Sequence, residues 1–313
     1  MTLRVVVVGA GAIGGWLAFR LAAAGHDVAV TARGAHLAAI RGEGLGLDEG
    51  GSVARIAAPA GEDPAAFGPA DLVVFGVKAH QLDAALAQAA PLAGPGTLAL
   101  STQNGIDAPE RIAAAFGEDR TLIGVVRVSA EILRPGVIGE VVQVRGITVG
   151  DMAGRQDRAA AGVREALRGA GVKVPASDDV RADLWAKFVL WNAAAASVAA
   201  RLSGNVAKAS PEWRALSARL AREAVAVGRA AGAPVADAMA ETVERGLAEP
   251  PDPARANIRP SMLVDLEAGK PLELDHLVGR VARMGAELGV PVPASEAVTA
   301  VLAPWRDGPP RAE

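Results

Sequence analysis

The chain has 313 residues, a hydrophobic share of 51% and a formal net charge of −3. That length accommodates one large domain or two ordinary ones with substantial cores, and the lack of a basic excess excludes nucleic acid and anionic membrane surfaces as natural partners. Cysteine is absent, which excludes disulfides and thiolate chemistry, and the four histidines, His26, His36, His80 and His276, show no metal-ligand spacing. No apolar run reaches the ~18 residues of a membrane span, and the first strand begins too near Met1 for a signal segment, so a cytoplasmic location is expected.

The opening run of valines at 5–8 reads as a strand buried on both faces of a parallel sheet. Gly9, Gly11 and Gly14 follow at the G-x-G-x-x-G/A spacing, with Ala12 and Gly15 beside them. Ile13, Leu17 and Leu21 then recur at helical spacing, and Gly25 reads as a C-cap. Strand, glycine turn and helix together form a dinucleotide-binding signature, in which backbone and helix N–H groups approach a pyrophosphate. The alternative is a purely structural glycine turn.

The second strand, 27–31, runs into Thr31, Ala32 and Arg33, with no carboxylate where an NAD site normally holds the adenosine ribose about 20 residues past the glycines. Arg33 stands ready for a 2′-phosphate instead, which favours NADPH; the alternative is a solvated arginine. Strands at 72–77 and 97–101 deliver two polar loops to the carboxyl edge of the sheet, where ligands of open α/β folds bind. One loop carries Lys78 and Gln81, the other Asn104 before Gly105, although N-G is also a common turn dipeptide. Apolar stretches at 122–129, 139–144 and 146–150 extend the sheet, with an antiparallel portion near "LRPGVIGE". A helix at 158–170 and a short strand at 172–175 complete it.

The alternation predicts an α/β fold: a Rossmann-type doubly wound domain over 1–178. An all-helical domain is expected over 179–313, with long helices at 179–204, 211–232 and 272–289 and a proline-rich loop, "EPPDPARANIRPS", before another short helix. A ligand is expected in the cleft between the domains. In "DLWAKFVLWN", Leu184, Trp185, Phe188, Val189, Leu190 and Trp191 surround Lys187. An enclosed ammonium needs a partner, and desolvation favours its proton-donating chemistry; the alternative is a lysine that snorkels to water. The segment "SMLVDLEAGKPLELDHL" adds Ser261, Asp265, Glu273, Asp275 and His276, whose charges read as largely solvated.

Taken together, "GAGAIGG", "ARGAHLAAIR", "VKAHQ", "QNG", "LWAKF" and "SMLVDLEAGKPLELDHL" resemble, in order and spacing, the ketopantoate reductase (2-dehydropantoate 2-reductase) family over essentially the whole chain. The resemblance implies NADPH-dependent reduction of a 2-oxo acid to the 2-hydroxy acid, foremost 2-dehydropantoate to pantoate in pantothenate biosynthesis. By the same resemblance Gly9, Gly11, Ala12, Ile13 and Gly14 hold the pyrophosphate and Arg33 the 2′-phosphate, while Lys78, Gln81 and Asn104 lie by the nicotinamide half. Lys187 is the implied general acid, Glu273 its orienting carboxylate, and Asn104 and Ser261 the implied substrate ligands. No metal is implied, and a homodimer is left open.

One position departs from the family pattern. Trp191 stands one helical turn after Lys187, where an asparagine is expected, and Asn192 is rotated about 100° away. That opens a second reading, the same reaction on another 2-oxo acid or carbonyl compound. A non-catalytic NADPH-sensing protein is the alternative of a different class; Lys187 and Glu273 argue against it, because a sensor needs no proton donor.

Overall fold

The computed structural model describes residues 2–156, 158–252 and 259–310, with backbone alone at 141–145 and 158–159. Two compact units make up the chain, one of residues 1–103 and 107–183, the other of residues 104–106 and the chain from Leu184 on. The division therefore falls inside a helix, between Asp183 and Leu184, rather than at the expected 178/179 boundary, and Asn104 belongs with the helical unit.

The first unit is built on a nine-stranded sheet. Its strands are β1 (Arg4–Val8), β2 (Asp27–Thr31), β3 (Leu45–Asp48), β4 (Val53–Ile56), β5 (Ala60–Gly61), β6 (Leu72–Phe75), β7 (Leu98–Ser101), β8 (Thr121–Arg134) and β9 (Val137–Asp151). They lie in the order β4-β3-β9-β8-β7-β6-β1-β2-β5. Parallel pairing runs from β8 through β7, β6 and β1 to β2 and β5. The chain leaves β1 for β2 on one side and later returns to β6 on the other. This reversal at β1 is the topological switch point beyond which such sheets bind ligands.

Alternation along β1 explains both layers of the core. Val5 and Val7 join a cluster with Leu17 and Leu21 of α1 (Ala12–Ala23) and with Val163 and Leu167 of α5 (Arg158–Gly169), below which Val28, Val30 and Leu72 pack. Val6 and Val8 face the opposite layer, with Leu82 and Leu86 of α3 (Leu82–Ala89) and Ile112 and Phe116 of α4 (Ala108–Phe116). Phe75 and Phe116 meet edge to face at 5.7 Å there, a favoured aromatic geometry. The helix α2 (Gly34–Glu43) follows β2.

Three expectations change in the sheet. The stretches read as three strands are a single antiparallel hairpin, β8 and β9, turning at Pro135 and Gly136. The apparent break at Gly146 is a site where a Cβ would come within 1.8 Å of the Lys173 carbonyl, so another backbone crosses there. The stretch 172–175 is that crossing segment: Lys173 accepts one bond from the Ile147 amide at 2.9 Å, and 172–175 is not a strand. The short β3–β4 hairpin and the two-residue β5 were not anticipated.

The helical unit contains most of α6 (Val180–Ala200), then α7 (Gly204–Ala207), α8 (Pro211–Ala230), α9 (Asp237–Ala248), α10 (Ser261–Glu267), α11 (Val278–Leu288) and α12 (Pro293–Leu302). Leu220, Ala224 and Val227 of α8, Val278 and Val281 of α11 and Leu302 of α12 are buried. Ser217 of α8 donates to the Ala193 carbonyl of α6 at 3.0 Å, tying the two long helices together. The single helix expected at 272–289 is a 3₁₀ turn, Leu274–His276, followed by α11. The break lies at Leu277, and Gly279 passes so near the Leu274 carbonyl that a Cβ would sit 2.8 Å from it.

At the head of β1 the glycines differ in kind. A Cβ at Gly14 would lie 2.0 Å from the Gly9 carbonyl, whereas one at Gly11 would meet only the Gly76 carbonyl, at an ordinary 3.7 Å. Gly14→Ala is therefore expected to destabilise the protein by about 2–3 kcal/mol through overpacking, and Gly11→Ala by about 1 kcal/mol or less as a change of N-cap. Urea unfolding of both variants checks the contrast; equal losses would contradict it.

Candidate functional site

The glycine turn is fixed by backbone contacts. Gly9 adopts φ +98°, which an L side chain resists, and a Cβ there would lie 2.6 Å from Val77. A Cβ on Gly76 would lie 2.5 Å from the Gly9 carbonyl and 2.8 Å from Gly14. The Gly9 amide donates to Thr31 Oγ1 at 2.8 Å and the Ala10 amide to the Thr31 carbonyl at 2.7 Å, so the end of β2 holds the turn. Gly11 is then the N-cap of α1, with no capping side chain and no acidic residue in the first turn. The N–H groups at Ala12, Ile13 and Gly14 form the positive end of the helix dipole. This chemistry and the room left at Gly11 fit a pyrophosphate.

Arg33 follows at the N-cap of α2 with an extended backbone. Its side chain is exposed and makes no ion pair or hydrogen bond among the described residues. Thr31, the other polar group at this strand end, is already committed to Gly9. After β6, Lys78 is half-buried and starts a 3₁₀ turn, Ala79–Gln81. Gln81 is exposed, and its amide oxygen accepts from the Lys78 N–H at 3.3 Å, a local role closing the turn.

Sequence reasoning overlooked Gln103. It is 5% exposed, and its Nε2 donates to the carbonyls of Phe75 at 2.6 Å and Val77 at 3.0 Å. Thr102 Oγ1 also donates to the Phe75 carbonyl, at 2.6 Å. The end of β7 thus holds the loop that carries Gly76 and Lys78. The signal was a glutamine and a threonine at the end of an apolar strand, where solvated residues are the ordinary expectation.

In the helical unit, charge is buried. Among the described residues the buried ionisable side chains are Arg164, in the first unit, and Lys187, Asp265 and Glu273 in the second. Lys187 is 7% exposed, which speaks against a snorkelling side chain, and Glu273 is 2% exposed. Each of these three charged groups has an interaction partner. Asn104 Nδ2 donates to Glu273 Oε2 at 3.4 Å. The approach depends on Gly105, at φ +93°, where a Cβ would be 2.6 Å from the His276 carbonyl. Asn104 and Glu273 are thereby brought together. Ser261 is half-buried at the first position of α10.

Asp265 is buried on α10, against the expectation of a solvated charge. Asp275 is half-buried and paired with Arg306 at 3.1 Å and Arg283 at 3.6 Å rather than merely solvated. Leu190, expected to help enclose Lys187, is 52% exposed. Asn192 is fully buried and donates to the Leu220 carbonyl, a packing role on the face turned from Lys187. Trp191 is half-buried, and its indole N–H is shielded from water without a partner among the described residues. The described residues contain no side-chain group arranged for a metal ion and no helix long and apolar enough to cross a membrane.

Comparison with known proteins covers both units. The family "Ketopantoate reductase PanE/ApbA" matches residues 5–154, and its "C terminal" counterpart matches residues 179–305. A 2-dehydropantoate 2-reductase of Mesorhizobium japonicum is 32% identical, over 96% of this chain and 97% of that protein. The crystal structure of a PanE/ApbA family ketopantoate reductase from Ralstonia eutropha is 31% identical, with a TM-score of 0.84 over 96% of this chain and 98% of that one. D-mandelate dehydrogenase, solved with NADH and anilino(oxo)acetate, shares the fold at 20% identity, with a TM-score of 0.86 over 96% of this chain and 98% of the other. With the glycine turn inside one matched segment and the buried lysine and carboxylate inside the other, this oxidoreductase belongs to the ketopantoate reductase family.

Proposed function

We propose that the protein is an NADPH-dependent reductase converting a small 2-oxo acid into its 2-hydroxy acid, with 2-dehydropantoate the first substrate to test. The observation that carries this reading is the pair of buried charges in the helical unit, Lys187 and Glu273, with Asn104 bonded to the latter. A folded chain gains little from burying an ammonium and a carboxylate, because desolvation offsets much of their attraction. A carbonyl reduction uses both.

When bound, the reduced nicotinamide supplies a hydride to the carbonyl carbon. The protein's share is to bind, orient and donate a proton. The N–H groups at Gly11, Ala12, Ile13 and Gly14 take the pyrophosphate, and Arg33 takes the 2′-phosphate. Lys78, with Gln81 closing its turn, and Asn104 serve the nicotinamide half. The Lys187 ammonium stabilises the negative charge that grows on the substrate oxygen and protonates it. Glu273 orients that ammonium, Asn104 steadies Glu273, and Ser261 binds the substrate carboxylate. The shared fold of D-mandelate dehydrogenase, solved with NADH, leaves cofactor choice to local residues, and Arg33 is the local residue that favours NADPH.

A second reading rests on Trp191. An indole is a hydrogen-bond donor only, so it cannot accept from a substrate hydroxyl as an asparagine can. That favours a 2-oxo acid with a less polar side chain than 2-dehydropantoate. Steady-state NADPH oxidation with a panel of 2-oxo acids tests both readings at once. No turnover with any of them, together with intact NADPH binding, would favour a sensor.

Four variants sharpen the test. Arg33→Ala should weaken NADPH by about 1.5–3 kcal/mol while leaving NADH nearly unchanged, as expected for one charge-assisted contact; nucleotide fluorescence titration measures it, and equal losses would exclude the 2′-phosphate role. Lys187→Ala should keep NADPH affinity but lower kcat by about 10²–10⁴-fold, with Glu273→Gln less affected. Near-normal turnover in Lys187→Ala would remove the lysine from the chemistry. Trp191→Asn should shift the ranking of kcat/KM towards hydroxylated 2-oxo acids, since polar complementarity discriminates more strongly than a methylene. An unchanged ranking would make Trp191 a packing residue.

A further inference from the structure

His36 lies three residues beyond Arg33 and has no part in the chemistry above. Its imidazole is half-buried in α2, and both ring nitrogens are used by backbone groups. Nε2 is 2.8 Å from the carbonyl of Ala10, the residue between the first two glycines of the turn. On the other side, the Gly136 amide, in the turn between β8 and β9, donates to Nδ1 at 3.0 Å. A carbonyl accepts only and an amide N–H donates only, so one protonation state satisfies both contacts: the neutral ring with its proton on Nε2. Burial lowers the pKa of this histidine, with the bond to Ala10 partly opposing it. The charged residues of α2 and its N-cap, Arg33, Arg41 and Glu43, are exposed, as are Glu131 and Arg134 of β8, while Arg127 of β8 is half-buried; loop 9–11 carries none.

We propose that His36 is a positioning residue of the dinucleotide loop, its neutral ring fixing the Ala10 carbonyl against α2 and the β8–β9 turn. The proposal rests on the reading that this loop binds the nucleotide. The two peptide units that flank the Ala10 Cα are each restrained. The Ala10 amide is held by Thr31 at 2.7 Å and its carbonyl by His36. Releasing the carbonyl frees the Ala10–Gly11 peptide to rotate, and with it the Gly11 N–H. Because α2 also begins beside Arg33, the same ring couples the pyrophosphate loop to the residue that selects the cofactor. A metal or catalytic role is excluded for this ring by geometry, since neither nitrogen is left for a ligand.

The test separates the two ring nitrogens in the full chain. His36→Gln keeps a donor near Nε2, His36→Asn keeps an acceptor near Nδ1, and His36→Ala keeps neither. Dissociation constants for NADPH and NADH by fluorescence, kcat at saturating NADPH, and hydrogen exchange of residues 9–14 without nucleotide are compared with wild type. His36→Ala and His36→Asn should weaken both nucleotides about tenfold, as one buried hydrogen bond is lost, with kcat held within about twofold. His36→Gln should restore most of the affinity. Exchange over 9–14 should rise in the Asn variant and stay near wild type in the Gln variant. A Gln variant that binds as poorly as Asn, or losses that track a general fall in Tm and faster exchange throughout the unit, would reduce His36 to packing and overturn the proposal. Wild-type protein that binds neither nucleotide would overturn the cofactor reading instead; exchange over 9–14 still judges His36, and no change in the Asn variant would refute its role.

Discussion

Backbone meeting backbone at the head of β1 is the constraint on which the nucleotide-binding half depends. Gly9, Gly14 and Gly76 pass so closely that none has room for a Cβ. The contact joins the turn after β1, the first helix and the loop after β6 at the point where strand order reverses. Hydrogen bonds from Thr31 and Gln103 brace the same junction from the ends of β2 and β7. Close packing of this kind tolerates no slack, so four strand ends are set in one arrangement, and the N–H groups at the start of the first helix inherit their positions from it.

The helical unit is organised around a different difficulty, the keeping of charge out of water. The chain carries 32 basic and 35 acidic residues, and nearly all can lie at the surface. Lys187, Asp265 and Glu273 do not. Removing the partner of a buried charge leaves that charge uncompensated, which costs more than the pair contributes to folding. Gly105 and Asn104 belong to the same economy, for the glycine lets the chain lie against the 3₁₀ turn that begins beyond Glu273.

Local pattern made much of this legible. The valine run, the glycine spacing and the bounds of β2 follow from neighbouring residues alone, as does the rotation of Asn192 away from Lys187. What stayed hidden depends on distant partners. Gly76 is an ordinary loop glycine until Gly9 and Gly14 are seen beside it. Gln103 reads as a solvated amide until the Phe75 and Val77 carbonyls appear. The crossing of Lys173 over Gly146 lies where one long strand reads as two, and the crossing segment itself, apolar at Val172 and Val174, reads as a third. Asp265 resembles any helical carboxylate, since burial of a single acid leaves no periodic trace. Leu277 is apolar and helix-compatible, yet the chain breaks there, and Gly279 passes close to the Leu274 carbonyl.

The space at Gly11 has a consequence for descent. Gly9, Gly14 and Gly76 are held by folding, and any copy of this gene that still makes the sheet must keep them. Nothing in the packing holds Gly11, whose Cβ would meet only an ordinary contact; on the proposed function, selection for the nucleotide would. A duplicated copy released from nucleotide binding would drift to alanine at position 11 while the other three glycines stay fixed. On the same proposal, a copy that kept the nucleotide but abandoned turnover would drift instead at Lys187. The pattern of substitutions across such duplicates therefore records which duty was given up first, without an assay.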